Sequence, residues 1–573
     1  MIAQENGFPQ KRTGLLKLAE YTGEIHGIHR FVKADESIDI IIHAGTSLYK
    51  LGSDIAVYSG MKSAKSTSFV MGGKLYLLDG QNYISYNGNT VSNVEDSAYI
   101  PTTTISAAPS GGGEEYEPVN LLQTQRVNLF RGTAGDTVYQ LDTESISAVV
   151  KCEKLNSDGI TWTAITAYAV NTSAGKVTFS AAPGVSPITG EDNVKITFRK
   201  TVAGYADKIK KCTICTEYGM NNDIRVFVSG NSGQKNYDWF SWTGNPTFFP
   251  DINYGIVGSE ISPIMGYLKQ YDSLVVVKKA NGQDVSLFLR TAQMGSDNKI
   301  QFTLKQGISG VGAVSKYCFA SLIDDPLFLS DSGVMGLDTK PTLQNTTQDR
   351  SFYINPKLLA EPGIDEAIAC VANGKYYLFI NGNVYVADST QKNVNPAKSF
   401  GYEWYHWTGI NASAVKYINN VLYIGDKHGQ LHKLKTESEY GMEAYNDNGD
   451  PIYAEWRTKM DDLGEPAMFK TILKKGTGVT PMRFAASSAN IYFITDRDQP
   501  SQNYSMSTVF DFDDIDFGDM NFGALENPDF VPYRRKVKKV KMVQTIIENS
   551  AVNESFGIFN IVLSYQKIKY IKR

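Results

Sequence analysis

Few residues of this sequence have the types and spacing needed for metal binding or nucleophilic chemistry. Cys212 and Cys215 form a C-x-x-C pair, but a zinc ribbon needs a second such pair, and the nearest other cysteine is Cys152. The pair also lies in sequence of β character, whereas the reactive pair of a redox motif begins a helix. We therefore expect two small buried side chains here rather than a metal or redox site.

The histidines fall into two groups, one near each end of the chain. If the two ends of the chain are neighbours in the fold, the groups could together bind a metal ion. Structural or solvated roles are favoured, and the last two histidines straddle a turn and are expected to point to solvent. The six histidines are His26, His29, His43, His406, His428 and His432.

Motifs of known enzyme classes are missing from the sequence. It contains no G-x-S-x-G, H-E-x-x-H or phosphate-binding loop, and Ser330–Gly333 lacks the spacing and the Trp of a sialidase-like repeat. Asp511–Asp519 offers carboxylates for Ca²⁺ but not the spacing of an EF-hand loop, so a solvated acidic loop is expected. Nothing selects a catalytic pair among the 60 acidic residues. We expect no enzyme activity, no cofactor and no metal.

A basic run near the C-terminus, Arg534–Lys541, is the strongest local charge feature. Val537 and Val540 alternate partly with the charges, which should place the charges on one face of a strand. Such a strip is either a solvated edge or a basic seam facing DNA or an acidic surface of a neighbouring subunit. One candidate for that surface is the loop Asp511–Asp519. The candidate interface or DNA-channel residues are Arg534, Arg535, Lys536, Lys538, Lys539, Lys541, Asp511, Asp513 and Asp514.

The composition describes a multidomain β protein without export or membrane signals. A chain of 573 residues is too long for one core, and 27 Phe and 33 Tyr against 6 His favour sheet over catalysis. The net charge of −4 is unlike that of a dedicated nucleic-acid binder. Met1–Gly14 has no apolar signal-peptide core, no run is long enough to cross a membrane, and an odd, scattered set of five cysteines suits a reducing cytoplasm.

Glycine-centred turns between β-rich segments recur along the chain and predict a β-propeller. From Gly233 to Gly429 successive turns are roughly 50 residues apart, the length of one propeller blade. A blade cannot bury both faces of its sheet alone, so blades must stack. Seven turns predict about seven blades. The turns lie at Gly45, Gly80, Gly233, Gly282, Gly333, Gly382 and Gly429.

Two departures from this period predict further domains in an all-β protein. Between Gly80 and Gly233, the Thr/Ser/Pro/Gly-rich Pro101–Pro118 predicts a linker, and Asn120–Lys200 predicts an inserted, sandwich-like β domain. Beyond Leu434 the period stops, and more strands predict a C-terminal β domain that could lend a strand to the propeller. The expected divisions are 1–117 (first blades), 118–203 (inserted domain), 204–445 (remaining blades) and 446–573 (C-terminal domain).

The stretch Ile209–Pro250 predicts the inner hairpin of one blade and carries a family resemblance. Ile209, Ile214 and Ile224–Val228 are expected to be β, followed by an aromatic strand beginning at Tyr237. This stretch resembles the β-propeller tail nozzle, or packaged-DNA stabilisation, proteins of tailed bacteriophages, and the resemblance covers about Asn120–Asp338. The residues that carry it are Asn120–Leu141, Tyr218–Gly219, Asn222–Asp223, Arg225–Phe227, Ser229–Asn231, Pro246, Phe249–Pro250 and Gly307–Val314.

The resemblance implies a virion structural protein, made in the host cytoplasm, that forms a ring in the phage tail. Nozzle proteins of the familiar kind are hexamers that retain packaged DNA and conduct it during ejection. The implied partners are copies of itself, the adaptor or head–tail connector, tail fibre, spike or needle proteins, and passing double-stranded DNA read without sequence specificity. The matching residues look architectural, so no active site is carried over. The alternative is a receptor-binding or polysaccharide-degrading tail protein on the same propeller.

Overall fold

The computed structural model describes residues 2–3, 8–296, 299–307, 310–339, 345–394, 400–482, 487–496, 530–533 and 536–570. These residues form an all-β protein, as predicted. None of the helices in this part of the chain is long and apolar enough to cross a membrane. The short helices are Asp207–Lys210, Asn355–Leu358 and Glu437–Tyr440, with 3₁₀ turns at Val94–Ser97, Ile364–Glu366 and Gly441–Tyr445.

The chain divides into two compact units, and each contains four-stranded antiparallel sheets. The first unit comprises residues 22–349 and 364–367 and contains five such sheets, which we name blades 1–5. The second comprises residues 1–21, 350–363 and 368–573 and contains blades 6 and 7. Meandering four-stranded sheets repeated in this way define the β-propeller fold, so the prediction of about seven blades is confirmed.

Strands pair in chain order within blades 1–5. Blade 1 comprises Ile25–Val32, Ile38–Ala44, Ser47–Lys50 and Ala56–Ser59, and blade 2 comprises Thr67–Met71, Lys74–Leu78, Tyr83–Tyr86 and Val91–Asn93. Blade 3 comprises Ile214–Met220, Asp223–Ser229, Tyr237–Phe240 and Tyr254–Ile256. Blade 4 comprises Ile264–Gln270, Ser273–Lys278, Leu287–Met294 and Ile300–Gln306, and blade 5 comprises Ala320–Leu322, Asp325–Ser330, Gly333–Thr339 and Asn345–Asp349.

Blade 7 takes its fourth strand from the beginning of the chain. Leu15–Glu20 pairs antiparallel with Gln430–Leu434, so the N-terminal segment completes this blade and the C-terminal domain does not. Blade 6 comprises Ile368–Ala372, Lys375–Ile380, Asn383–Val394 and Phe400–Thr408, and blade 7 comprises Ala412–Ile418, Val421–Asp426, Gln430–Leu434 and Leu15–Glu20.

Each of the seven predicted glycine turns joins the second and third strands of one blade. The spacing between successive predicted turns therefore corresponds to the length of one blade. The second strands are nearly continuous apolar runs, such as Ser273–Lys278, because they are covered on both faces. In the first unit the apolar cores lie between successive blades, as where Leu274 and Val276 of blade 4 pack with Phe227 of blade 3.

The inserted domain consists of two sheets that share one apolar core. Tyr139 and Phe179 of the smaller sheet pack against Phe130 and Ile196 of the larger. The smaller sheet contains Val138–Gln140, Tyr168–Asn171 and Lys176–Phe179, and the larger contains Thr102–Ala107, Glu114–Glu115, Gln125–Phe130, Ala148–Leu155, Trp162–Ile165 and Val194–Arg199.

The predicted linker Pro101–Pro118 is part of this inserted domain, so the linker prediction is wrong. Thr102–Ala107 is a strand that pairs parallel to Gln125–Phe130, and Glu114–Glu115 pairs with it in turn. The β-branched residues of Thr102–Ile105 favour a strand. This preference for a strand outweighs the turn preference of the glycines that follow. Those glycines form the turn between Thr102–Ala107 and Glu114–Glu115.

The C-terminal residues of the second unit form three small sheets. Together with Ile2–Ala3, which pairs with Pro9–Gln10, and Asn446–Asp447, which pairs with Asp450–Pro451, they complete the described strands. The three sheets contain Ala454–Arg457, Val543–Asn549 and Asn490–Thr495; Val537–Val540, Met468–Ile472 and Tyr565–Tyr570; and Val531–Pro532, Gly478–Pro481 and Ile558–Val562.

Candidate assembly surfaces

The basic strip lies on an edge strand of the C-terminal sheets, with its lysines outward. Val537–Val540 pairs with Met468–Ile472, and Val537 and Val540 are buried. Lys538 and Lys539 together oppose Thr471 in a β-bulge, so both point to the exposed face, beside exposed Lys536.

The remaining predicted site residues are placed differently. Lys541 is half-buried, its ammonium 5.7 Å from the centre of the Phe469 ring and its backbone N–H donating to Asp496 Oδ1 at 2.7 Å. The other predicted members lie outside the described residues, so the pairing of the strip with the acidic loop stays a prediction. They are Arg534, Arg535, Asp511, Asp513 and Asp514.

Two stretches that are far apart in the sequence, one at Asn120 and one at Thr247–Phe249, meet at the Asn120 side chain. This side chain is fully buried, and its Nδ2 donates to the backbone oxygens of Tyr99 at 2.8 Å and Thr247 at 2.9 Å. Its Oδ1 accepts from the backbone N–H groups of Leu122 and Phe249, each at 3.1 Å. Asn120 therefore joins the entry to the inserted domain to the end of blade 3.

The residues after Asn120 belong to the propeller core rather than to the inserted domain. Leu121 and Leu122 pack in the cluster that holds Trp239 and Phe249 of the blade 3 region. The boundary predicted at residue 118 thus precedes a segment that is built into the propeller. Asn120 and Phe249 therefore belong to one structural junction.

A buried ion pair that the sequence analysis missed ties blade 3 to blade 4. Nη2 of Arg290 lies 2.8 Å from each carboxylate oxygen of Asp238, and both side chains are almost fully buried. Each charge sits inside an otherwise apolar strand, in the sequences YDWF and LFLRT. An isolated charge within a predicted core strand was the signal available for this pair, because buried charges need partners.

The expectation of two buried structural cysteines holds for Cys212, whereas Cys215 is only half-buried. Cys212 is fully buried, its Sγ donates to the backbone oxygen of Lys208 at 3.2 Å, and burial raises the pKa of its thiol. It follows the helix Asp207–Lys210, which contains Ile209, so the prediction of β structure at Ile209 is wrong. Cys215 lies in the first strand of blade 3.

His26, His29 and His43 do cluster, but through serine hydroxyls. His43 Nδ1 and His29 Nε2 both lie 2.9 Å from Ser66 Oγ, and the His26 and His43 rings are 5.2 Å apart. Burial lowers the pKa of His43 to about 4, which keeps the ring neutral at pH 7. Among the described residues no group of His, Cys, Asp and Glu is arranged to hold a metal ion.

The histidines near the end of the chain behave differently from one another. His428 is exposed, as predicted for both residues that straddle the turn. His432 is buried, so that prediction is wrong for it, and burial lowers its pKa. It lies on the strand Gln430–Leu434, and pairing with Leu15–Glu20 covers that strand.

The structure also brings together two carboxylates, Glu455 and Glu548, which the sequence could not select. They are direct cross-strand partners, and the Tyr453 hydroxyl lies 2.9 Å from Glu455 and 2.6 Å from Glu548. Arg457 binds Glu455 through two nitrogens and lowers its pKa. Both carboxylates border a cleft of about 300 Å³, which is also lined by Tyr453 and Tyr492.

No protein-family model matches the chain, and no curated protein matches it. Among solved structures, the chain is similar to BamB from Moraxella catarrhalis (11% identity, TM-score 0.30, covering 76% of this chain and 92% of that one). It is also similar to virginiamycin B lyase from Staphylococcus aureus (8% identity, TM-score 0.28, covering 74% and 98%). A third similar structure is the computationally designed Ika8 protein (9% identity, TM-score 0.30, covering 74% and 99%). The propeller fold of this chain rests on its own strand pairing.

Proposed function

We propose that the protein is a virion structural protein of a tailed bacteriophage, forming a ring in the tail, as a hexamer of identical chains. In this role it retains packaged DNA and conducts it during ejection. It docks on the portal and adaptor side and carries distal parts of the tail, such as fibres, a spike or a needle.

The observation that carries this proposal is the nozzle-like sequence of blade 3 and of the segment anchored to it. Asn222–Asp223 and Arg225–Phe227 form the second strand of that blade and the turn before it. The backbone N–H of Phe249 donates a hydrogen bond to the Asn120 side chain, and Pro250 forms an isolated β-bridge with Asn120. The matching residues thus hold a propeller and its inserted domain together, which suits a structural part of a particle.

The charge distribution also supports this role. The net charge of −4 is small for 573 residues, and several of the lysines of the basic run are grouped on one exposed strand. A channel that conducts DNA must not bind it tightly. Contacts between basic side chains and phosphates dominate the affinity of a protein for DNA, so basic charge spread over the channel would hinder passage. Placing a lysine strip on one edge rather than spreading basic charge over the chain satisfies that requirement.

Assembly state tests the proposal directly. The purified full-length chain is expected to form closed rings in electron micrographs, with a mass by native mass spectrometry that is a multiple of the single chain. It is also expected to leave bacterial capsular polysaccharide intact. A compact monomer or trimer that depolymerises the polysaccharide would contradict the proposal.

The carboxylates Glu455 and Glu548 favour one second candidate, a polysaccharide-degrading tail protein. Their shared contact with Tyr453 keeps the two contacting carboxylate oxygens no more than roughly 5.5 Å apart, which is compatible with the spacing in retaining glycosidases. Arg457 lowers the pKa of Glu455, which suits the ionised nucleophile of such an enzyme and leaves Glu548 as the candidate general acid. Glu548→Gln would abolish any polysaccharide cleavage if this second candidate were correct.

A further inference from the structure

Blades 2–7 share a two-residue loop between their first and second strands, and the first loop residue has a positive φ in each of them. In each, the last residue of the first strand pairs with the first residue of the second across a two-residue loop, as Gln270 pairs with Ser273. The same spacing holds in the other five. Two-residue hairpin loops need positive φ angles, which favour Gly and Asn.

Blades 4 and 5 break this sequence rule while keeping the positive φ at the first loop residue. The first loop residue is Gly72, Asn221, Asn373 or Asn419 in blades 2, 3, 6 and 7. In blades 4 and 5 it is Tyr271, with φ 51°, and Ile323, with φ 57°. A bulky or β-branched residue at positive φ is strained, and strain of this kind is retained mostly at functional sites.

Both strained residues are exposed and followed by an acid. Tyr271 is 86% exposed and precedes Asp272, and Ile323 is 66% exposed and precedes Asp324. The side chains thus gain little from packing within their own chain. Large exposed apolar side chains flanked by carboxylates are instead typical of a protein interface, in which an apolar centre is surrounded by a polar rim.

The two loops lie on the same face of the first unit. Tyr271 and Asp272 line a groove of about 690 Å³ together with Met220 of blade 3. On the other side, Gln270 Nε2 donates to the backbone oxygen of Leu337 in blade 5, near the loop end of that blade. The loops of blades 3–5 therefore form one continuous rim.

Building on the proposed ring, we propose that this rim binds the basic strip of a neighbouring copy. Tyr271–Asp272 and Ile323–Asp324 form one side of the interface, and Lys536, Lys538 and Lys539 of the next copy form the other. A ring needs two different surfaces that meet head to tail, and a strip of lysines cannot pack against its own copy. Opposite charges on the two surfaces set register and association rate.

Charge and apolar character match on the two surfaces. The rim carries Asp272 and Asp324, with one exposed base, Lys269, in the groove. Beside the lysine strip, Met542 and Ile568 are large exposed apolar residues on the C-terminal sheets. Each surface therefore offers apolar contact surrounded by charge of the opposite sign, which favours a second copy of this chain as the occupant.

The first test replaces both strained residues by the residue that other blades use. Tyr271→Asn with Ile323→Asn in the full-length chain is expected to raise the unfolding temperature of the monomer, because Asn tolerates the left-handed region. The same variant is expected to lose most ring formation in sedimentation velocity and electron microscopy. A structural role for these side chains predicts the opposite change in unfolding temperature.

The second test swaps charges. Lys536, Lys538 and Lys539 changed to Glu should slow ring formation, and Asp272→Lys with Asp324→Lys should restore it in the same chain. Lys474→Glu with Lys475→Glu, exposed lysines of the same domain, is the matched control and should assemble normally.

The outcomes separate this inference from the function on which it rests. A wild-type chain that stays monomeric at every concentration overturns the ring itself and, with it, this interface. Rings that form equally well in the Asn variant overturn only the interface. If Asp513→Lys with Asp514→Lys restores ring formation in the lysine-to-glutamate variant, and Asp272→Lys with Asp324→Lys does not, the rim is not the acidic partner of the basic strip.

Discussion

Gly255 lies directly opposite Asp238 on the adjacent strand of blade 3, and its missing side chain makes room for Arg290. A Cβ at this position would lie 2.4 Å from Nη2 of Arg290 and 2.5 Å from Oδ1 of Asp238. The ion pair between blades 3 and 4 thus depends on the absence of a side chain at Gly255, a residue that is not itself part of the pair.

Gly255→Ala is therefore expected to destabilise the first unit by about 1–3 kcal/mol, the usual range for overpacking a core. The measurement is urea unfolding followed by tryptophan fluorescence. Gly135→Ala is the control, because a Cβ there would meet no atom within 4 Å. Equal stability of the two variants would show that the pair tolerates displacement.

Removing one partner of the pair should cost more than removing both. Arg290→Met leaves Asp238 buried without its cation, and such single losses cost about 3–5 kcal/mol. Adding Asp238→Asn to Arg290→Met should recover part of that loss, because the buried charge is then gone. A double variant less stable than Arg290→Met alone, measured by urea unfolding, would refute this account.

Asn120→Ala should loosen the junction between the inserted domain and blade 3. The change leaves two backbone oxygens and two backbone N–H groups without their partner, and each unsatisfied buried group costs about 1–3 kcal/mol. Hydrogen exchange at Phe249 and Leu122 should rise with the fall in stability. Asn89→Ala, at an exposed position, serves as the control and should change neither quantity.

Stability should fall in mild acid because His43 stays neutral in the folded state. Its folded pKa of about 4 lies below the ordinary value of 6.5. The unfolded chain therefore takes up a proton first as the pH drops, and the stability present above pH 6.5 is lost between 6.5 and 4, by about 3 kcal/mol in total. His43→Gln should flatten this slope when urea unfolding is measured between pH 7 and 5.

The lysine strip can be tested for DNA contact as well as for assembly. Lys536, Lys538 and Lys539 changed to Glu should leave the monomer folded, since exposed charges contribute little to stability. If assembly is normal but double-stranded DNA is retained poorly in a salt-dependent way, the strip faces the DNA channel. That outcome would exclude a role in the subunit interface.

The repeat was readable from the sequence because each blade repeats a local turn chemistry. Gly282, Gly382 and most of the other turn glycines have positive φ in the second hairpin loop of their blades, and local φ preferences require no knowledge of distant contacts. The linker prediction at Pro101–Pro118 failed for a related reason. The glycine-rich composition predicts the turn at Gly111–Gly113. It does not predict that Thr102–Ala107 pairs with Gln125–Phe130, because that pairing is a tertiary contact.

By itself, then, the sequence determined the all-β class, the blade period and the exposed lysines of the basic strip, since periodicity and turn residues act locally. Only the tertiary structure decided which strand completes blade 7, that Asp238 meets Arg290, and that Tyr271 and Ile323 lie at equivalent strained turns. These relationships join residues from about 50 to more than 400 positions apart, and such contacts depend on how whole sheets stack. A single sequence carries no direct record of that stacking.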